Sequence, residues 1–334
     1  MPPKRQKAPE PASTPEPKRR VTRLSAKTDT TEARNSPDSP SEPPKEEPTA
    51  SKERRAPKPK KGSPKDAEPE ADAQPDEDSD LAPQNRRSLF MENELVKKPF
   101  KCHLYLPEPI PKTPMLIFTH GAGGTLSAEA VVNFCTGYSS SQPVLTFQGS
   151  VNLKARTKSF HACIYDYDYG QWILRAGRPA DTVVEKKLLL GGRSMGARAA
   201  VIAASEHLAS LDDKERAELS IQLILVSYPL LGPKDELRDQ ILLDLPKNVR
   251  ILFISGDEDA MCPIDTLNET RDKLTAKSQL VVVTDANHGM NVVPASRTQR
   301  VGEETGRWAA RWVQGEPMDD EVFIDELEGE EPWK

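Results

Sequence analysis

Beyond about residue 100 the chain alternates short apolar runs with stretches in which apolar positions recur every three or four residues. The runs at 101–106, 115–119, 144–147, 187–191, 221–227, 250–255 and 280–284 each predict a strand. Ile221-Gln222-Leu223-Ile224-Leu225-Val226 has one polar position and Leu280-Val281-Val282-Val283 has none, as expected of strands covered on both faces. Ile264, Leu267, Arg271 and Leu274 follow Pro263 at helical spacing. Val301, Thr305, Trp308 and Trp312 mark a final amphipathic helix whose tryptophans are expected in the core. Strand–helix alternation predicts an α/β fold with a doubly wound, mostly parallel sheet, whose working residues gather beyond the strands' carboxyl ends.

Composition changes the picture at both ends. Residues 1–89 contain no Phe, Trp or Tyr and are dominated by Pro, Lys, Glu, Ser and Ala. Such a segment buries too little apolar surface to offset its conformational entropy, so it is expected to be a disordered tail. The folded domain is expected over 90–315, with an acidic C-terminal tail over 316–334 in which Val322, Phe323, Ile324 and Leu327 sit among carboxylates, either docked in a basic groove or solvated.

The net charge of −6 hides a basic block over 1–61 and an acidic one over 62–80. Lys4-Arg5-Gln6-Lys7 and Lys18-Arg19-Arg20 resemble a bipartite nuclear-import signal. The expected location is therefore the nucleus, with the cytoplasm as a second compartment, and the tails are where nuclear protein partners would bind. No apolar run reaches membrane-spanning length, so no membrane association is expected. Direct nucleic-acid binding is not expected of the folded domain, which together with the C-terminal tail is acidic. Cys102, Cys135, Cys163 and Cys262 lack metal or redox spacing and are expected to be reduced and mostly buried. No His/Asp/Glu cluster has ligand spacing, and neither a metal nor a cofactor is expected.

Candidate chemistry begins at Leu188-Leu189-Leu190-Gly191-Gly192-Arg193-Ser194-Met195-Gly196-Ala197, a Gly-x-Ser-x-Gly joining an apolar run to a small-residue helix. Such a turn can expose Ser194 as a nucleophile, or Ser194 can simply cap the helix. A serine hydroxyl needs a base to take its proton and an acid to orient that base. Gly256-Asp257-Glu258-Asp259 and Asp285-Ala286-Asn287-His288-Gly289 each follow a late strand, giving the order Ser194, Asp259, His288. Asp259 is preferred as the acid, with Asp257 the alternative. Of the five histidines, His103, His161 and His207 fall in elements where structural roles are expected. After an early strand comes His120-Gly121-Ala122-Gly123-Gly124, where His120 is expected to shape the loop. The Ala122 and Met195 backbone N–H groups are the candidate donors to an oxyanion.

Five segments in order carry a family resemblance: His120-Gly121-Ala122-Gly123-Gly124, Gly191 to Arg198, Ser227-Tyr228-Pro229-Leu230, Gly256-Asp257-Glu258-Asp259 and Asn287-His288. With them the chain resembles the dienelactone-hydrolase-like α/β-hydrolases, in the group with testis-expressed protein thirty and the third subunit of the non-specific lethal chromatin complex. The resemblance implies an α/β-hydrolase core and a triad of Ser194, Asp259 and His288. The 165–186 stretch, with Tyr167, Tyr169 and Trp172, looks like a longer connection than the family pattern, and both tails fall outside the match. The connection after Tyr228 is too short for a large cap.

The expected activity is that of a serine hydrolase of esterase or thioesterase type acting on a small ester or acyl substrate. The alternative is a catalytically silent scaffold of this fold in a nuclear or chromatin-associated complex.

Overall fold

The computed structural model describes residues 85–168 and 187–325. The expected disordered tail and its import clusters, except for its last residues, lie outside them. So do most of the aromatic connection after Tyr165 and the end of the acidic tail.

Nine strands form one sheet: β1 (Arg86–Met91), β2 (Phe100–Tyr105), β3 (Leu116–Thr119), β4 (Val144–Phe147), β5 (Lys187–Arg193), β6 (Ser220–Val226), β7 (Val249–Glu258), β8 (Lys277–Asn287) and β9 (Glu321–Ile324). Their order is β1-β2-β4-β3-β5-β6-β7-β8-β9. β2 runs antiparallel to both β1 and β4, and every other pair is parallel. The chain runs from β3 out to β4 on one side, then returns to lay β5 on the other. The carboxyl ends of β3 and β5 thus flank a topological switch point, where sheets of this kind leave a crevice.

Period-two alternation along largely apolar strands supplies both faces. Ile117, Leu190, Leu223, Leu225, Ile251 and Phe253 join one core, while Phe118, Leu189, Ile224, Leu252 and Ile254 join the other. The first face is covered by α2 (Leu153–Asp168) and α3 (Met195–Ser210), the second by α1 (Glu129–Tyr138) and α7 (Thr298–Gln314). Small residues let α3 approach the sheet: Ala197, Ala199, Ala200, Ala203 and Ala204 are all inaccessible. Shorter helices α4 (Asp213–Glu218), α5 (Gln240–Leu243) and α6 (Ile264–Arg271) complete the described elements. Between β6 and β7 stand only α4's successor α5 and a single 3₁₀ turn, so no large cap covers the sheet there. This is the α/β-hydrolase architecture expected from the sequence.

Both limits of the folded span differ from 90–315. β1 begins inside the stretch that composition assigns to the tail; it is an edge strand whose charged and exposed positions give little apolar signal. At the other end, Glu321–Ile324 adds parallel to β8, burying Ile324 and leaving Phe323 exposed. The Leu280 N–H donates to Asp320 O at 3.0 Å, and Arg271 pairs with the Asp320 carboxylate at 2.8 Å. Four residues flanked by acids are too short a pattern to announce a strand. Of the two tryptophans in α7, Trp312 is buried and donates to Gln279 Oε1 at 2.7 Å, whereas Trp308 is half-buried beneath the Arg311 guanidinium. All four cysteines are buried.

Candidate active site

Ser194 stands alone between β5 and α3 with φ 53° and ψ −118°. A non-glycine residue held at positive φ costs on the order of 1–3 kcal/mol, which the surrounding packing must sustain. The turn closes because its flanking glycines have no Cβ: one on Gly192 would lie 2.5 Å from the Gly196 carbonyl carbon, and one on Gly196 would lie 2.6 Å from the His120 carbonyl oxygen. Although Ser194 occupies the N-cap position of α3, its side chain makes no capping hydrogen bond. Its Oγ instead lies 2.9 Å from His288 Nε2.

The imidazole continues the chain of contacts. His288 Nδ1 lies 2.8 Å from Asp259 Oδ2 and 3.0 Å from Oδ1. The Asp259 side chain is fully buried, and its Oδ1 also accepts the Met261 N–H at 2.9 Å. Asp257, the alternative carboxylate, is exposed at the end of β7. Strand register explains the meeting. Past a shift at Gly256, Glu258 of β7 pairs with Asn287 of β8, so the next residue of each strand is Asp259 or His288. Bulges beside functional sites re-aim side chains in this way.

The early loop is fixed by the same logic. Thr119 of β3 pairs with Gly192 of β5, which brings His120 and Gly121 alongside Arg193 and Ser194. A Cβ on Gly121 would lie 3.4 Å from that of Ser194. Ala122, next in the loop, is exposed, and Met195 is half-buried. As the first residue of α3, Met195 has an N–H without an intrahelical acceptor, as at every helix start. The two candidate oxyanion donors therefore belong to two different segments, one residue after Gly121 and one residue after Ser194.

His120 is buried, and its ring makes its hydrogen bonds to the main chain rather than to Ser194. Its Nε2 accepts the Gly149 N–H at 2.9 Å, so the proton resides on Nδ1, which donates to Gly121 O at 2.7 Å. Burial, reinforced by the positive charge of Arg156, lowers its pKa to about 4. It is a neutral part of the loop at ordinary pH, in the shaping role expected of it.

Two arginines complete the surroundings, and neither stands out in the sequence as a site residue. Arg193 donates to the His288 carbonyl from within the turn, with Gly121 against its guanidinium. Burial draws its pKa below the ordinary value while the Asp259 charge opposes that shift. Arg156 of α2 is inaccessible and donates to the carbonyls of His120, Gly121, Gly149 and Ser150. Arg193 fills a variable position of Gly-x-Ser-x-Gly and Arg156 a polar position of a helix, and sequence does not show that the carbonyls of His288 and of His120 and Gly121 come to meet them. Among the described residues, no group of three or more His, Cys, Asp or Glu could hold a metal ion. None of the described helices is long and apolar enough to cross a membrane.

A serine on a strained strand-to-helix turn, at the switch point of a mostly parallel sheet and hydrogen-bonded to a histidine from a late loop, defines the α/β-hydrolase class. The chain belongs to the alpha/beta hydrolase domain family, whose sequence model matches residues 112–312. Among solved structures it is similar to an alpha-beta serine hydrolase homologue from Coxiella burnetii, at 16% identity over 66% of this chain and 96% of that one, with a TM-score of 0.48. It is also similar to Est1E from Butyrivibrio proteoclasticus, at 15% identity over 68% and 99% of the two chains, TM-score 0.48. A dienelactone hydrolase from Anabaena variabilis matches at 16% identity over 69% and 97%, TM-score 0.47.

Proposed function

We propose that this protein is a serine hydrolase that cleaves a carboxylic ester or thioester through an acyl-Ser194 intermediate. The observation that carries the proposal is the 2.9 Å approach of Ser194 Oγ to His288 Nε2, made by a serine that leaves its helix uncapped. His288 takes the hydroxyl proton as Oγ attacks the acyl carbon, and Asp259 holds the imidazole with Nε2 free to accept it. The tetrahedral intermediate places its negative oxygen against the Ala122 and Met195 N–H groups. Collapse expels the alcohol or thiol, which takes the proton from His288. A water molecule then gives its proton to His288, attacks the acyl carbon, and releases the acid as Ser194 recovers its hydrogen.

The short connection between β6 and β7 favours an open site, suited to a small ester, a thioester or an acyl group on a larger molecule. Within the family we assign the chain to the dienelactone-hydrolase-like group with testis-expressed protein thirty and the third subunit of the non-specific lethal complex, on the five motifs quoted above. A nuclear location, with protein partners at the tails, belongs to the same proposal.

A fluorophosphonate probe tests the activity. Labelling of the wild-type protein and loss of labelling in Ser194→Ala are expected. A folded wild-type protein that stays unlabelled would overturn the proposal in favour of a silent scaffold.

A further inference from the structure

We infer that Arg156 and His120 are positioning residues that aim and polarise the Ala122 N–H, placing a buried positive charge behind the site where the oxyanion forms. This inference rests on the hydrolase proposal above. The starting observation is a complete set of donors. A guanidinium has five N–H groups. Arg156 Nε donates to Ser150 O at 2.9 Å, Nη1 to His120 O and to Gly121 O, and Nη2 to Gly121 O and to Gly149 O at 3.2 Å. Every one ends on a main-chain carbonyl. Among the described residues no carboxylate pairs with this arginine, although it is inaccessible to water.

Gly121 O is the focus of the cluster. It accepts from both terminal nitrogens of Arg156 at 3.3 Å, from His120 Nδ1 at 2.7 Å and from the Gly124 N–H at 3.4 Å. The peptide unit that contains this carbonyl also contains the Ala122 N–H. In a trans peptide the two groups point in opposite directions. Drawing Gly121 O inward to Arg156 therefore turns the Ala122 N–H away from the arginine. Hydrogen bonding to a carbonyl also strengthens the N–H of the same amide as a donor, because such chains polarise one another.

Charge adds a second effect. Neutral donors would satisfy four carbonyls equally well, whereas only a cation stabilises negative charge building up on the far side of the peptide. Burial lowers the Arg156 pKa only to about 10, so the group remains charged at neutral pH. His120 cannot compete for that role, since its Nε2 is engaged as an acceptor.

The experiment compares second-order fluorophosphonate labelling rates and p-nitrophenyl acetate kinetics for the full-length wild type, Arg156→Met, Arg156→Lys and His120→Asn. Arg156→Met is expected to label and turn over about 100-fold more slowly, the loss typical of one oxyanion donor, with KM nearly unchanged. Arg156→Lys, which keeps the charge, is expected to recover at least about tenfold of that loss, even at an equal melting temperature. A purely structural role would instead make the rates of the two variants follow their melting temperatures. Wild-type rates in folded Arg156→Met, or no recovery in Arg156→Lys, would overturn the inference. Should Arg156→Met fail to fold, slower labelling by folded Arg156→Lys and His120→Asn supports it and wild-type rates in both overturn it. An unlabelled wild type would defeat the hydrolase proposal itself, a distinguishable result.

Discussion

Glu258 in β7 and Asn287 in β8 are register partners, and the residues that succeed them, Asp259 and His288, consequently leave the sheet side by side. Two side chains from separate loops are thus joined by strand pairing rather than by loop conformation alone. Asp259→Asn should leave the fold intact but remove the acceptor that fixes the imidazole tautomer, lowering kcat by about 10³- to 10⁴-fold. Asp257→Asn, at an exposed position, should change kcat by less than about twofold. Steady-state hydrolysis of p-nitrophenyl acetate checks both.

Stability should fall in acid because of His120. In the folded protein its pKa is lowered to about 4 from 6.5. Below pH 6.5 the unfolded chain binds a proton on this side chain that the folded chain refuses, so folding loses free energy until the folded group also titrates. The loss should accumulate to about 3 kcal/mol between pH 7 and 4 and then level off. Urea unfolding of the wild type and His120→Asn across this range should reveal it as a shrinking difference in the wild type's favour.

Ending the chain at Gly315 should destabilise the domain. The truncation removes β9, the buried Ile324 side chain, the Arg271–Asp320 ion pair and the Met318 carbonyl that accepts from Gln279 Nε2 at 2.7 Å. The expected cost is about 3 kcal/mol, or roughly 10 °C in melting temperature by calorimetry. An unaltered melting temperature would mean that β9 contributes nothing to the fold.

α1 and α7 touch through their backbones. A Cβ on Gly306 would lie 2.1 Å from Phe134 O, a contact that no side-chain movement relieves. Gly306→Ala should therefore cost at least about 3 kcal/mol in equilibrium unfolding.

Much of this arrangement is legible in the sequence, for identifiable reasons. The central strands announce themselves because both of their faces are buried, leaving uninterrupted apolar runs such as Leu280-Val281-Val282-Val283. Ser194, Asp259 and His288 stand out because each lies within a few residues of the end of such a run. The choice between Asp257 and Asp259 stays open in sequence because the register shift at Gly256 decides which carboxylate turns inward. β1 and β9 escape notice because edge strands need only one partner and tolerate charge on the open side. Arg156 is hidden for a different reason: it reads as one more polar residue of α2, and its meaning lies in carbonyls contributed by two separate loops.

Arg193 links the turn that carries Ser194 to the main chain of His288, 95 positions away. The two side chains are consequently fastened to a common frame, and an arriving molecule cannot pry one from the other without breaking that tie. Adaptation to guests of different shape must then fall to the walls around this frame. Descendants of such a chain can change diet by remodelling those walls while the inner fittings stay in place.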